Sequence, residues 1–139
     1  ASPLERTKET AEIVNFLGKR ISFDERLEEI NFGIFEGLKY HEIVERYPKE
    51  YEESVANWKT YHYETGESLE TLQKRVVEYI FSLDLEKDHL IVTHWGVICS
   101  FLSYVMSENL ESYWKFKILN GGVVILEVKD NFPVLAKLL

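Results

Sequence analysis

Residues 89–106 read HLIVTHWGVICSFLSYVM. The run from Leu90 to Thr93 carries no charge and is β-branched at three of its four positions, the pattern of a parallel strand covered on both faces. It passes directly into a stretch that is apolar on most sides from Val97 to Met106, which predicts a buried helix. A strand delivered straight into a helix is the repeating unit of parallel α/β sheets. The junction falls at His94-Trp95-Gly96. In open α/β sheets ligands bind outside the carboxyl ends of the strands, and a helix N-terminus placed there favours anions. His94 is therefore the first candidate for chemistry; a histidine bonded to a nearby backbone group is the structural alternative.

The rest of the chain supports interleaved strands and helices. Pro3 suits a first helical position and Gly18 a C-terminal cap, so residues 3–17 read as a helix with Leu4, Ala11, Val14 and Leu17 on its apolar side. Ile21, Phe23 and Leu27 suggest a short strand before an extended loop, FGIFEG, punctuated by Gly33 and Gly37. KYHEIVERYP is a helix stopped by Pro48, and YEESVANWKTY a second short one. Leu69, Leu72, Val76, Ile80 and Leu83 form one stripe on a helix over 68–83, with Ser68 as its N-cap. The tail, NGGVVILEV, DNFP and VLAKLL, predicts an antiparallel pair joined by a turn. At 139 residues this is one α/β domain, 1–139, without repeats or linkers.

Composition narrows the function. A net charge of -8 argues against nucleic acid, which demands basic surface, though not against a small phosphorylated metabolite held in a local basic pocket. No apolar run has the length of a membrane span, and the N-terminus lacks the pattern of a signal peptide, so a cytoplasmic location is expected. The single cysteine, Cys99, excludes an internal disulfide, and no spacing suggests a metal site.

Two further residues join His94. Glu29 lies with Glu28 and Glu36 on the glycine-hinged stretch LEEINFGIFEG; a solvated acidic loop explains such a cluster, and so does one carboxyl presented as general acid or base. Arg6 stands in the first turn of a helix, where the dipole disfavours a cation; a surface arginine and a bidentate grip on phosphate both fit. Other signals fail. HEIVE has Glu45 where a zinc-protease helix needs its second histidine. Gly66-Glu67-Ser68 lacks the closing glycine of a nucleophile elbow, Glu70 standing there. Cys99 has Val105 six residues on instead of arginine and reads as a small core residue. Tyr61, His62 and Tyr63 suit a pocket wall and a self-packed loop equally.

Together these stretches resemble the histidine phosphatase superfamily, which includes the cofactor-dependent phosphoglycerate mutases and the α-ribazole phosphatases. SPLERTKETA is similar to the family's S-x-L-x-R-x-x-x-T-A segment, and LEEINFGIFEG to its L-x-E-x-x-x-G-x-x-E-G loop. GES at 66–68 and VTHWGVI at 92–98 follow in the family's order, with His94-Trp95-Gly96 where H-G-G is usual. The resemblance implies a three-layer α/β/α, phosphoglycerate mutase-like fold with a mostly parallel sheet. It implies metal-independent phosphomonoester hydrolysis through a phosphohistidine, without a cofactor, on the phosphatase branch near the α-ribazole phosphatases. Carried over by position, Arg6 binds phosphate, Glu29 gives a proton to the leaving oxygen, and His94 bonds the phosphoryl oxygens. A phosphoglycerate mutase and a non-catalytic binding remnant are the alternatives.

One family element has no counterpart. Members open with a strand ending in Arg-His-Gly, whose histidine is the nucleophile, and no Arg-His-Gly occurs in the chain. The expectation is a domain truncated at its N-terminus and inactive alone, its sheet completed by a missing N-terminal segment or by a second copy.

Overall fold

The computed structural model describes all 139 residues. Its core is built by two helices, α4 (Leu69–Phe81) and α5 (Trp95–Ser107), packed face to face. The α4 stripe behaves as its spacing predicts up to Ile80, but the helix ends at Phe81 and leaves Leu83 beyond it. Leu69, Leu72 and Val76 are buried, Ile80 is half-buried against the same core, and Ser68 caps the helix by accepting the Thr71 N–H at 3.2 Å. From α5, Val97, Cys99 and Phe101 meet them, and Leu27, Ile30, Leu110 and Tyr113 close the cluster. Seven of the thirteen α5 residues are buried, as an all-round apolar helix requires.

The N-terminal helix is shorter than expected. α1 runs Glu5–Val14 with Leu4 at its N-cap, and only Thr7 and Ala11 are buried. Leu17 lies beyond its end and is exposed, because Asn15 closes the helix by bonding Lys19 through both its amide nitrogen and its carbonyl oxygen. α2 (Tyr40–Arg46) and α3 (Pro48–Ala56) form the expected pair, broken at Tyr47, with Pro48 at the first position of α3.

Of the mostly parallel sheet that the resemblance implies, only isolated backbone pairings are present, and the one laddered sheet is an antiparallel pair near the C-terminus. Ala1 donates to the Ser22 carbonyl and accepts from Asp24 N–H at 3.1 Å, the bonding pattern of a parallel pair centred on Phe23. On its other side, Ser2 N–H donates to the Val92 carbonyl at 2.9 Å. Residues 89–94 are thus extended beside Ser2, but no ladder runs along them, and Leu90 is exposed where a fully buried strand was expected. A ladder needs a partner backbone along its length, and Ser2 supplies it at one residue only. The segment from Ile21 likewise becomes a single-turn helix at Glu25–Leu27, since Asp24 caps it by accepting Arg26 N–H at 2.9 Å.

The tail forms the predicted hairpin, β1 (Val124–Lys129) with β2 (Phe132–Leu138), whose alternating burial lays one face towards the core. Asp130 and Asn131 both take positive φ, as a two-residue turn of this twist demands. Elsewhere, two loops are stitched together by backbone. Ile34 N–H donates to the Glu64 carbonyl and Glu67 N–H to that of Asn31. A Cβ at Gly33 would sit 1.9 Å from the Glu64 oxygen, and one at Gly66 2.3 Å from the Asn31 oxygen. Only glycine permits this contact, and it draws the loop carrying Glu29 against residues 64–67.

Candidate active site

The extended segment ends at His94, which is the N-cap residue of α5. His94 as a residue is 7% exposed, and its Nε2 lies 2.8 Å from Ser2 Oγ. Ser2 is fully buried by its neighbours and also accepts the Leu4 N–H, at 3.3 Å. A neutral ring whose Nε2 accepts the Ser2 hydroxyl satisfies both groups. Neutrality follows from the surroundings. Burial, and after it the positive charges of Arg6 and Arg75, hold His94 down at about 4. Both guanidinium groups bear on His94 through their charge, but Arg75 is paired with the Glu67 carboxylate, which leaves Arg6 and a helix N-terminus to favour an anion there.

Glu29 approaches the same helix end from the glycine-hinged loop. One carboxyl oxygen accepts the Ile30 N–H at 3.0 Å, and the other accepts the Gly96 N–H, in the first turn of α5, at 3.1 Å. Gly96 is the seat of this contact. A Cβ there would fall 2.2 Å from Glu29 Oε1 and 3.0 Å from the Tyr113 hydroxyl. Burial, together with the Glu29 charge, pushes the Tyr113 hydroxyl far above its ordinary range, so it stays protonated. The same two causes push Cys99 up to about 12. It is an un-ionised core thiol, as its place on an apolar helix implied.

Three charged residues were singled out from sequence, and their disposition differs. His94 and Glu29 meet at the start of α5, and Arg6 acts on His94 through its charge from an exposed position in the first turn of α1. Of the neighbouring carboxylates, Glu36 folds back to accept Phe32 N–H at 2.8 Å and does not join Glu29. His62 is exposed, while Tyr63 packs edge-on against Tyr61, Phe32 and Phe35, and with the two phenylalanines it lines an apolar cleft of about 750 Å³. No group of three or more His, Cys, Asp or Glu side chains converges as metal ligands would.

Sequence reasoning missed the residue that holds Glu29 in place. Arg75, on α4, donates through Nε and Nη2 to the Glu67 carboxylate at 2.9 and 2.6 Å. Its Nη1 donates to the Arg26 and Glu28 carbonyls, both at 2.8 Å, and Nη2 reaches the Glu29 carbonyl at 3.3 Å. Glu67 in turn accepts Asn31 N–H at 3.2 Å. One planar fork thus ties residues 26–31 to residue 67, a task for which lysine lacks the geometry. Nothing in the sequence separates Arg75 from a solvated helix arginine. Glu67 was visible only as the middle of GES, and Ser2 as the first residue of SPLER.

Known proteins resemble this chain in sequence and in fold. A family model described as the histidine phosphatase superfamily, branch 1, matches residues 1–138. The chain is 34% identical over 110 residues to the 6-phosphofructo-2-kinase/fructose-2,6-bisphosphatase of Gallus gallus; that covers 79% of this chain and 23% of the avian protein. Among solved structures, Bacillus stearothermophilus YhfR is 30% identical with a TM-score of 0.81, covering 97% of this chain and 69% of that one. The α-ribazole phosphatase of Shigella flexneri, at 24% identity, shares the fold with a TM-score of 0.89 over 99% of this chain and 70% of its own. The chain thus spans less than a quarter of the avian enzyme and about 70% of the two bacterial proteins. With an α/β fold shared at these scores, and a family model matched from Ala1 to Leu138, this chain belongs to the histidine phosphatase superfamily, branch 1.

Proposed function

We propose that this protein hydrolyses small phosphomonoesters, with Arg6 binding the phosphoryl group, His94 bonding its oxygens as charge develops, and Glu29 acting as proton donor to the leaving oxygen. The observation that carries the reading is the pairing of two environments at one helix end. His94, buried at the N-cap of α5 with the Arg6 charge bearing on it, suits a dianion. Glu29 stands beside it, bonded to the N–H of Gly96. Phosphoryl transfer asks mainly for positioning and charge stabilisation, which cations, a helix N-terminus and an imidazole provide.

The chemistry is complete only with a nucleophile. His89 bonds the Asp84 carbonyl, and His41 and His62 are exposed on α2 and on the loop after α3. We assign the attack to a histidine on a segment that pairs along residues 89–94, from the same polypeptide or a second copy. Its ring nitrogen forms a bond to phosphorus as the ester P–O bond breaks, and protonated Glu29 delivers its proton to the departing alkoxide. Water then attacks the phosphohistidine, and the Glu29 carboxylate takes the proton that water sheds.

The test is hydrolysis of an aryl phosphate by the full gene product, with and without a chelator. Glu29→Gln and His94→Ala should each lower turnover on the order of 100-fold, as loss of an acid or an oxyanion partner does. The chelator should change nothing. Normal turnover in either variant removes the assigned roles.

A further inference from the structure

The apolar cleft bordered by Tyr113 takes no part in the roles assigned to Arg6, Glu29 and His94. It is walled by Phe32 and Phe35 of the glycine loop, Ile43 of α2, Trp58 after α3, and Tyr63 and Trp114. We propose that it binds the alcohol half of the substrate, and that this half is a neutral aromatic group bearing no second anion. The inference rests on the phosphatase reading above for what the cleft adjoins.

Three observations carry it. The first is a wall shared with Glu29. The Tyr113 ring lines the cleft, and its hydroxyl lies beside the same Gly96 position as Glu29 Oε1. The buried Tyr113 side chain is thus the partition between the cleft and the Glu29 carboxyl. The second is size and lining. About 750 Å³ falls within the range that encloses a drug-sized molecule, roughly 300–1,000 Å³, and eleven of the fourteen lining residues are hydrophobic. Their rings meet at steep angles, 83° for Phe32–Tyr63 and 70° for Phe35–Tyr63, so a guest ring finds both edges and faces to pack against.

The third is charge. Glu36 is the single charged residue on the wall, and no lysine or arginine lines it. A second phosphate or a carboxylate on the alcohol would be stripped of water with no cation to receive it, beside a like charge. Sugar bisphosphates and phosphorylated amino acids fit this wall poorly, whereas a phosphorylated aryl alcohol keeps its one dianion at Arg6 and His94.

The protein carries its own reporters, since Trp58 and Trp114 both line the cleft. Titration with 1-naphthyl phosphate, 1-naphthol, O-phosphoserine and inorganic phosphate, followed by tryptophan emission and calorimetry, separates the terms. 1-Naphthyl phosphate should bind at least tenfold more tightly than O-phosphoserine, and 1-naphthol should bind without phosphate. Val55→Asp changes a wall position that is 56% exposed, so folding is spared, and it should cut the naphthyl preference at least fivefold; Trp58→Ala should do the same. Equal affinity for the two phosphomonoesters, or a preference that survives both substitutions, overturns the proposal. Binding of 1-naphthol with no gain from its phosphate upholds the cleft and overturns the phosphate roles of Arg6 and His94 instead. A dimer in sedimentation that 1-naphthol fails to dissociate, with no naphthyl preference, assigns the cleft to a second copy and also overturns the proposal.

Discussion

Acidifying the protein should destabilise it through His94 well before its carboxylates titrate. In the unfolded chain this histidine takes the ordinary value of 6.5, and in the fold it is held at about 4. Between those values the unfolded state binds more protons, so stability falls as pH falls. From these two values the loss between pH 7 and pH 5 comes to about 2 kcal/mol, rising to about 3 kcal/mol by pH 4. Asp24, held low by its bonds to Arg26, contributes stability that is present above its unfolded value of 3.8 and lost only below it, so it is constant across the window. The lowered amino terminus of Ala1 titrates alike in any variant and cancels in a difference.

The comparison is with His94→Gln, whose amide can still meet the Ser2 hydroxyl but cannot titrate. Urea midpoints at pH 7 and pH 5 should show the wild type losing about 2 kcal/mol more than the variant. Proton NMR of the His94 ring should place its midpoint near 4 and move it upward when inorganic phosphate is added, because a bound anion offsets Arg6 and Arg75. Equal slopes in the two proteins, or a midpoint near 6.5 without phosphate, would refute the burial of His94 and the positive charge around it.

Other substitutions probe the supports. In Gly96→Ala the new methyl collides with Glu29 Oε1, the far end of a flexible side chain, so the carboxyl swings away. Lost hydrogen bonds of about 1.5–3 kcal/mol are partly offset by about 1 kcal/mol of helix propensity, so urea denaturation should show a small net loss. Hydrolysis by the full gene product should nonetheless fall as far as in Glu29→Gln, and full turnover would dismiss Gly96 as the seat of the acid. Arg75→Met strands the Glu67 carboxylate and three carbonyls in partly buried surroundings, for an expected loss of about 3–5 kcal/mol by urea denaturation. Arg75→Lys should recover only part of it, because an ammonium cannot reproduce the fork. In Gly33→Ala the clash is with backbone and φ is +53°. The loss should exceed about 2 kcal/mol, and a thermal melt matching wild type would show that the two loops separate without cost.

How much of this was legible in the sequence depended on whether the cause was local. Helical spacing set α4, its stripe and its Ser68 cap, since each rests on neighbours within a turn. The same holds for the tail hairpin, whose alternation and Asp130-Asn131 turn are contiguous. Motif order brought out Arg6, Glu29 and His94 because residue type and spacing survive in the chain as text. The extent of strand pairing was another matter. Residues 89–94 have the composition of a buried strand, yet a ladder is made by another backbone, and only Ser2 lies alongside to bond Val92. Arg75, Tyr113 and the cleft were equally hidden. A guanidinium on α4 becomes a clamp only when packing brings residues 26–31 and Glu67 within its reach, and Tyr113 borders Glu29 only because α5 carries Gly96 between them. The sequence by itself singled out Arg6, Glu29 and His94 as candidates, because residue type and spacing are local; the tertiary structure decided which carboxyl meets the start of α5, what holds that carboxyl still, and what lies beside it, because those depend on packing.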